Sequence, residues 1–148
     1  MLPLLQLISR EACRVETVSR IRDLEFINCH DALIEAESQG DPFGQVINLL
    51  KLAEININKS LEEKRGYYQK ALTVAQSGGD TRLSILANVC MARFFFDQAD
   101  YHGADLYYQN ARTIASETKD SDGIRYIDEE LLKNQYQLKL EEMVKQSR

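Results

Sequence analysis

Residues that interrupt helices are scarce in this chain. Its 148 residues include two prolines, Pro3 and Pro42, and seven glycines, and neither proline interrupts a segment of helical period. No convincing strand appears: the one aromatic run, Phe94-Phe95-Phe96, continues a period from Val89 and Ala92 instead of alternating. Cysteine is limited to Cys13, Cys29 and Cys90. An odd number on or near apolar helix faces implies reduced core thiols and a cytoplasmic protein, which leaves the sequon Asn58-Lys59-Ser60 unused. Positive charge is not in excess, since 18 Lys and Arg stand against 23 Asp and Glu for a net charge of −5. Without a basic run or a basic stripe interleaved with aromatics, DNA and RNA are not expected as direct ligands. The apolar start, Met1-Leu2-Pro3-Leu4-Leu5-Gln6-Leu7-Ile8, lacks a basic leader and gives way at once to Ser9-Arg10-Glu11, so a signal peptide is not expected there. Nothing in the chain reaches the roughly 20 apolar residues of a membrane span.

Chemistry-bearing patterns are missing too. His30 and His102 have no partners at metal-ligand spacing. In Cys29-His30-Asp31 the side chains leave a helix about 100° apart and cannot grip one ion. Gly78-Gly79 lacks the Lys-Ser/Thr of a phosphate loop and reads as a helix C-cap. The acidic pairs Glu62-Glu63, Glu129-Glu130 and Glu141-Glu142 read as solvated helix faces rather than acid/base dyads. No nucleophile elbow is present. The expectation is a protein that is not an enzyme, with no cofactor and no metal.

What the chain does contain is a segment written three times. The pattern AxxxAxxxxD ends at Asp41, Asp80 and Asp120, with spacings 80−41=39 and 120−80=40, the pitch of a stacked supersecondary repeat. Aligning these residues puts Ala36, Ala75 and Ala115 in one column, Ala32, Ala71 and Ala111 in a second, and Cys29, Tyr68 and Tyr108 in a third. Columns three and four residues apart form one helix face, where small residues let a neighbouring helix approach. Downstream, Asp80 to Ala92 aligns with Asp41 to Ala53. Each Asp is thus an expected N-cap opening another helix, with Pro42 tolerated at the first helical position. The periodicity predicts helices over about 2–18, 21–38, 43–58, 60–77, 81–98, 101–118 and 122–146.

The pairs Ala53/Ala71 and Ala92/Ala111, the tyrosines Tyr68 and Tyr108, the segment Tyr101-His102-Gly103-Ala104 and the turns Gly40-Asp41 and Gly79-Asp80 resemble the longer, roughly 40-residue variety of tetratricopeptide repeat. The resemblance covers about residues 20–120, and Lys64, Glu25, Asn56 and Cys29 depart from the family pattern. It implies an all-α fold: an array of helical hairpins coiling into a superhelix, about seven helices in all, with repeats over 1–121 and a capping or linker helix over 122–148. In that family the first helix of each pair lines a concave face. Here this would comprise Ile47, Leu50, Lys51, Glu54 and Asn58 in one repeat and Leu86, Val89, Cys90, Arg93, Phe96 and Asp97 in the next. A largely apolar groove with charges at its rim suits an amphipathic helix or an extended peptide. The subfamily that clamps a peptide's terminal carboxylate has polar residues at places taken here by Leu50, Glu54 and Val89.

The tail is the second informative stretch. Ile127, Leu131, Asn134, Leu138 and Glu141 step by four, three, four and three, a heptad with two polar members. Its start, through Ile124, Ile127 and Leu131, can cap the last repeat. Its end resembles the linker helix by which bacterial sensory domains lead into a GGDEF (diguanylate cyclase) module, which implies a chain that continues beyond Arg148. Two functions follow as expectations. One is an interaction module that binds a protein or peptide segment in the groove. The other is a sensory, dimerising domain of a signalling protein, pairing through Ile127, Leu131 and Leu138 or through the N-terminal helix with its apolar Leu4, Leu5, Leu7 and Ile8.

Overall fold

The computed structural model describes residues 15–55 and 60–147, and these residues form six helices and no strand. They are α1 (Val15–Gln39), α2 (Pro42–Glu54), α3 (Leu61–Gly78), α4 (Thr81–Asp97), α5 (Tyr101–Glu117) and α6 (Ser121–Gln146). The all-α fold and the long last helix are as expected. Two boundaries differ. A break between residues 18 and 21 does not occur, because α1 runs unbroken from Val15 and Ser19-Arg20 contains neither proline nor glycine to stop it. α2 ends at Glu54 rather than at residue 58, with Ile55 extended at φ −64°, ψ 118°. The alternation Ile55-Asn56-Ile57-Asn58 is a run of poor helix formers. Most of the expected helix 2–18, with Leu4, Leu5, Leu7, Ile8 and Cys13, lies outside the described residues, as does Asn58.

The repeat signature has a structural cause. Four turns end on a residue with left-handed backbone followed by Asp: Gly40 (φ 64°), Gly79 (φ 70°), Ala99 (φ 59°) and Lys119 (φ 57°). At three of them the Asp N–H donates back five residues at 2.9 Å, from Asp41 to the Ala36 carbonyl, from Asp100 to Phe95 and from Asp120 to Ala115. With the shorter bonds Gly40 N to Glu37 O, Ala99 N to Phe96 O and Lys119 N to Ser116 O, these are Schellman closures. The AxxxxD spacing is thus a helix stop joined to a helix start, since each Asp is also the N-cap of the following helix. Asp80 accepts from Arg82 N and Leu83 N, Asp100 from Gly103 N, and Asp120 from Gly123 N, each cap contributing about 1 kcal/mol. Asp41 holds the same position without a side-chain cap bond, Pro42 following at the first position of the helix. Ser60 caps α3 by accepting from Glu63 N, as expected of a Ser N-cap.

Turns this short return each helix antiparallel onto its neighbour. Every helix packs on the next in sequence, most extensively α4 on α5 and α2 on α3, and α2 also touches α4. The buried side chains form two clusters, one spanning α1 to α4 and the other α4 to α6. α4 feeds both, Met91 and Phe94 facing the first and Val89 and Ala92 the second. Ile127 and Leu131 lie in the second cluster, so the first half of α6 is part of the packed body and caps it. The alanine columns follow this layering. Ala71 and Ala111 are fully buried, with helices on both sides of α3 and α5, whereas Ala32 is exposed on α1, which packs chiefly on α2.

Candidate functional site

The repeat brings three equivalent positions together. Glu54 ends α2, and Arg93 and Lys133 stand one and two repeats later, at spacings 93−54=39 and 133−93=40. All three line one cleft of about 610 Å³, whose wall also includes Lys64 and Tyr68 from α3, Cys90, Phe94, Phe96 and Asp97 from α4, Tyr108 from α5 and Glu130 from α6. Its size is ordinary for a ligand site. Of the expected groove residues, the cleft gathers Glu54, Cys90, Arg93, Phe96 and Asp97. It does not include Ile47, Leu50, Lys51, Leu86 or Val89. Leu50 and Val89 are core residues, buried in the first and second clusters respectively. A residue on the inner side of a first helix is also near the helix packed behind it, and apolar side chains are drawn to that contact.

Charge in the cleft is balanced in number but not in pairing. Three acids, Glu54, Asp97 and Glu130, face three bases, Lys64, Arg93 and Lys133. Lys133 Nζ lies 3.1 Å from Glu130 Oε1, and Tyr108 Oη donates to Glu130 Oε2 at 3.5 Å. Glu54, Lys64, Arg93 and Asp97 have no ion pair with any described residue.

Tyr68 is 7% exposed and stacks, tilted, on Phe94 with ring centroids 5.5 Å apart, and its hydroxyl has no hydrogen bond among the described residues. Burial pushes its pKa up to about 12, with Glu54, Cys90 and Asp97 adding to the rise and Arg93 opposing it. The charges that act on this hydroxyl all belong to the cleft lining. Burial, helped by Glu54 and opposed by Arg93, lifts the Cys90 thiol to about 11. Tyr108 is raised by burial, by Glu130 and Tyr126 and by its bond to Glu130. For Arg93, burial works against the charge, but Tyr126, Cys90, Tyr108 and Glu130 outweigh it and the guanidinium pKa goes up. At neutral pH the cleft therefore offers two hydroxyls, a thiol and fixed charges of both signs.

Lys64, Tyr68, Phe94, Tyr108, Glu130 and Lys133 were not among the expected site residues. A signal for most of them was in the sequence. Tyr68 and Tyr108 share a repeat column, and adding 40 to Cys90 and Arg93 gives Glu130 and Lys133. Lys64 and Phe94 had no such signal; the turn between the hairpins sets their approach.

On α6, the tail heptad turns inward. Asn134 is buried and donates Nδ2 to the Tyr101 carbonyl at 2.7 Å, its Oδ1 has no partner among the described residues, and Leu138 and Glu141 are half-buried. Ile127 and Leu131, expected as a dimer seam, are spent on the intramolecular core, because α5 occupies that face. A different stripe is open: Leu132, Tyr136, Leu140, Met143 and Val144 are 37–67% exposed and step by four, four, three and one along one side. No helix among the described residues is long and apolar enough to cross a membrane.

Comparison with known proteins returns no match: no family model, no curated protein and no solved structure corresponds to this chain.

Proposed function

We propose that this protein is a non-catalytic interaction module that binds a peptide or protein segment in the cleft lined by Glu54, Arg93 and Lys133. The observation that carries the reading is the cleft's composition, an aromatic floor of Tyr68 and Phe94 under four charged side chains without ion-pair partners among the described residues. An apolar floor supplies affinity, while polar groups without internal partners are free to select a ligand. Helical hairpins recurring at a pitch of about 40 residues are what a tetratricopeptide-like array would use for this task, and free Cys29 and Cys90 suit a reducing, cytoplasmic setting. The test is to pan a random-peptide library on the protein and map the enriched ligands by NMR. Ligands should shift the Tyr68, Arg93 and Asp97 signals, and Arg93→Glu should cut affinity at least tenfold with helicity unchanged. Enriched ligands that leave those signals unmoved would overturn the reading.

The open stripe on α6 favours a second reading, a sensory domain whose exit helix pairs in a dimer ahead of an output module of the GGDEF type. The pairing residues would then be Leu132, Tyr136, Leu140 and Met143 rather than Ile127 and Leu131. Sedimentation of the intact chain as a monomer at high micromolar concentration would remove this reading, and a dimer dispersed by Leu132→Asp with Tyr136→Asp would support it.

A further inference from the structure

From the order of the unpaired charges along the array, we infer that the segment taken by the cleft is extended and carries one basic and one acidic side chain about three residues apart. The basic group would seat between Glu54 and Asp97 and the acidic one on Arg93. The inference rests on the peptide-binding reading and adds which peptides are accepted and that they lie in one fixed direction.

The four charges without an ion-pair partner among the described residues are two acids and two bases. A ligand of a single sign would therefore pair with one set and be repelled by the other at the same range, whereas one of mixed sign meets both. The Glu130 and Lys133 charges are already committed to each other at 3.1 Å, so Glu54 and Asp97 on one side and Arg93 and Lys64 on the other set the sign pattern that an incoming segment meets. Glu54 and Arg93 stand in the same repeat column on helices that touch, α2 and α4. Packed helices lie about 8–10 Å apart, which an extended chain spans in about three residues. A helical ligand would need six or seven residues for the same distance. Tyr68 supplies the second, independent sign of a ligand. The residue is 7% exposed, and its hydroxyl has no partner among the described residues and lies among charges that all line the cleft. It can donate to the incoming carboxylate or accept from the incoming cation, and the adjoining Phe94 ring gives a flat apolar surface for the stem of a Lys or Arg side chain.

The test uses the intact protein and five pools of capped octapeptides, randomised except at positions 3 and 6. The fixed residues are Lys then Glu, Glu then Lys, Lys twice, Glu twice, or Ala twice, and retention is read by affinity selection with mass spectrometry. One of the two mixed pools should be retained at least tenfold more than the like-charged and alanine pools. In the double swap Glu54→Arg with Arg93→Glu, which leaves net charge unchanged, the preferred order of Lys and Glu should reverse. Retention that ignores sign and order, or a preference that survives the swap, overturns this inference and leaves the peptide-binding reading standing. If no pool is retained, the peptide-binding reading falls and this inference with it. Circular dichroism of the swapped protein separates a lost preference from a lost fold, and if the swap unfolds, the single change Asp97→Lys must weaken the preferred mixed pool or the inference falls.

Discussion

The two places where one hairpin meets the next are built on the same plan and finished differently. In both, a buried tyrosine of a second helix faces the first helix of the next hairpin, Tyr68 toward α4 and Tyr108 toward α6. The residue 22 positions further on is Cys90 in one case and Glu130 in the other (68+22=90, 108+22=130). Tyr108 has a carboxylate to donate to, at 3.5 Å. Tyr68 faces a thiol and makes no hydrogen bond among the described residues. Packing constrains the repeat positions that hold helices together, so tyrosine and alanine recur there. Polar completion is not needed for stacking, and that is where the two copies diverge and where a ligand finds an opening.

The firmest way to break this comparison is through the shared alanines. Ala71→Leu and Ala111→Leu, one at each interface and both fully buried, should each cost about 2–3 kcal/mol by overpacking, measured by urea unfolding. Ala32→Leu, in the same column but exposed, should stay within about 0.5 kcal/mol. Equal losses at all three positions would contradict the layering described above.

A smaller effect separates the interfaces by pH. The Cys90 thiol is raised from its ordinary 9.0 to about 11, so between these values the unfolded chain loses its proton while the folded one keeps it. Stability is thus full below pH 9 and falls as pH rises toward 11, by on the order of 1–2 kcal/mol. Cys90→Ala should flatten the dependence of the urea midpoint on pH, up to the range where Tyr68, raised to about 12, begins to contribute in the same direction.

Next is the tyrosine pair itself. Tyr108→Phe should cost about 1 kcal/mol, because Glu130 loses a donor. Tyr68→Phe, which breaks no hydrogen bond, should stay within about 0.5 kcal/mol yet weaken peptide retention. A larger loss from Tyr68→Phe than from Tyr108→Phe would reverse the roles assigned to the two. The smallest effects concern the turns that precede α4 and α6. Gly79→Ala places a Cβ at φ 70° and should cost about 1 kcal/mol, whereas Lys119→Gly relieves φ 57° and should gain about 0.5 kcal/mol.

Helix content, the Asp caps and the positions of the turns were legible in the chain because each is a local event. Gly79 takes the left-handed C-cap position, Asp80 and Asp120 cap, and Pro42 opens α2, all within a few residues of their signals. The break sought near residue 20 and the extension of α2 to residue 58 failed where no strong stop or start residue was present. The site was only half legible. Glu54, Cys90, Arg93, Phe96 and Asp97 sit on first helices at positions that the repeat makes predictable. Leu50 and Val89 share that side in the sequence but not in space, since burial depends on which neighbour lies behind the helix. The tail shows the same divide: its heptad was visible, but only the packed α5 settles that Ile127, Leu131 and Asn134 face inward and Leu132 and Tyr136 outward.

The order of residues alone thus determined a series of helices, most of them stopped by a left-handed turn and restarted by an Asp, at a pitch of 39 to 40 residues. Hydrogen bonds that close over five residues and side chains that recur every three or four need no distant partner. Which faces are covered, which tyrosine is satisfied and which charges stay unpaired were decided by tertiary packing. Those properties depend on residues some 20 to 80 positions apart, such as Tyr108 bonded to Glu130 and Glu54 and Lys133 lining one cleft.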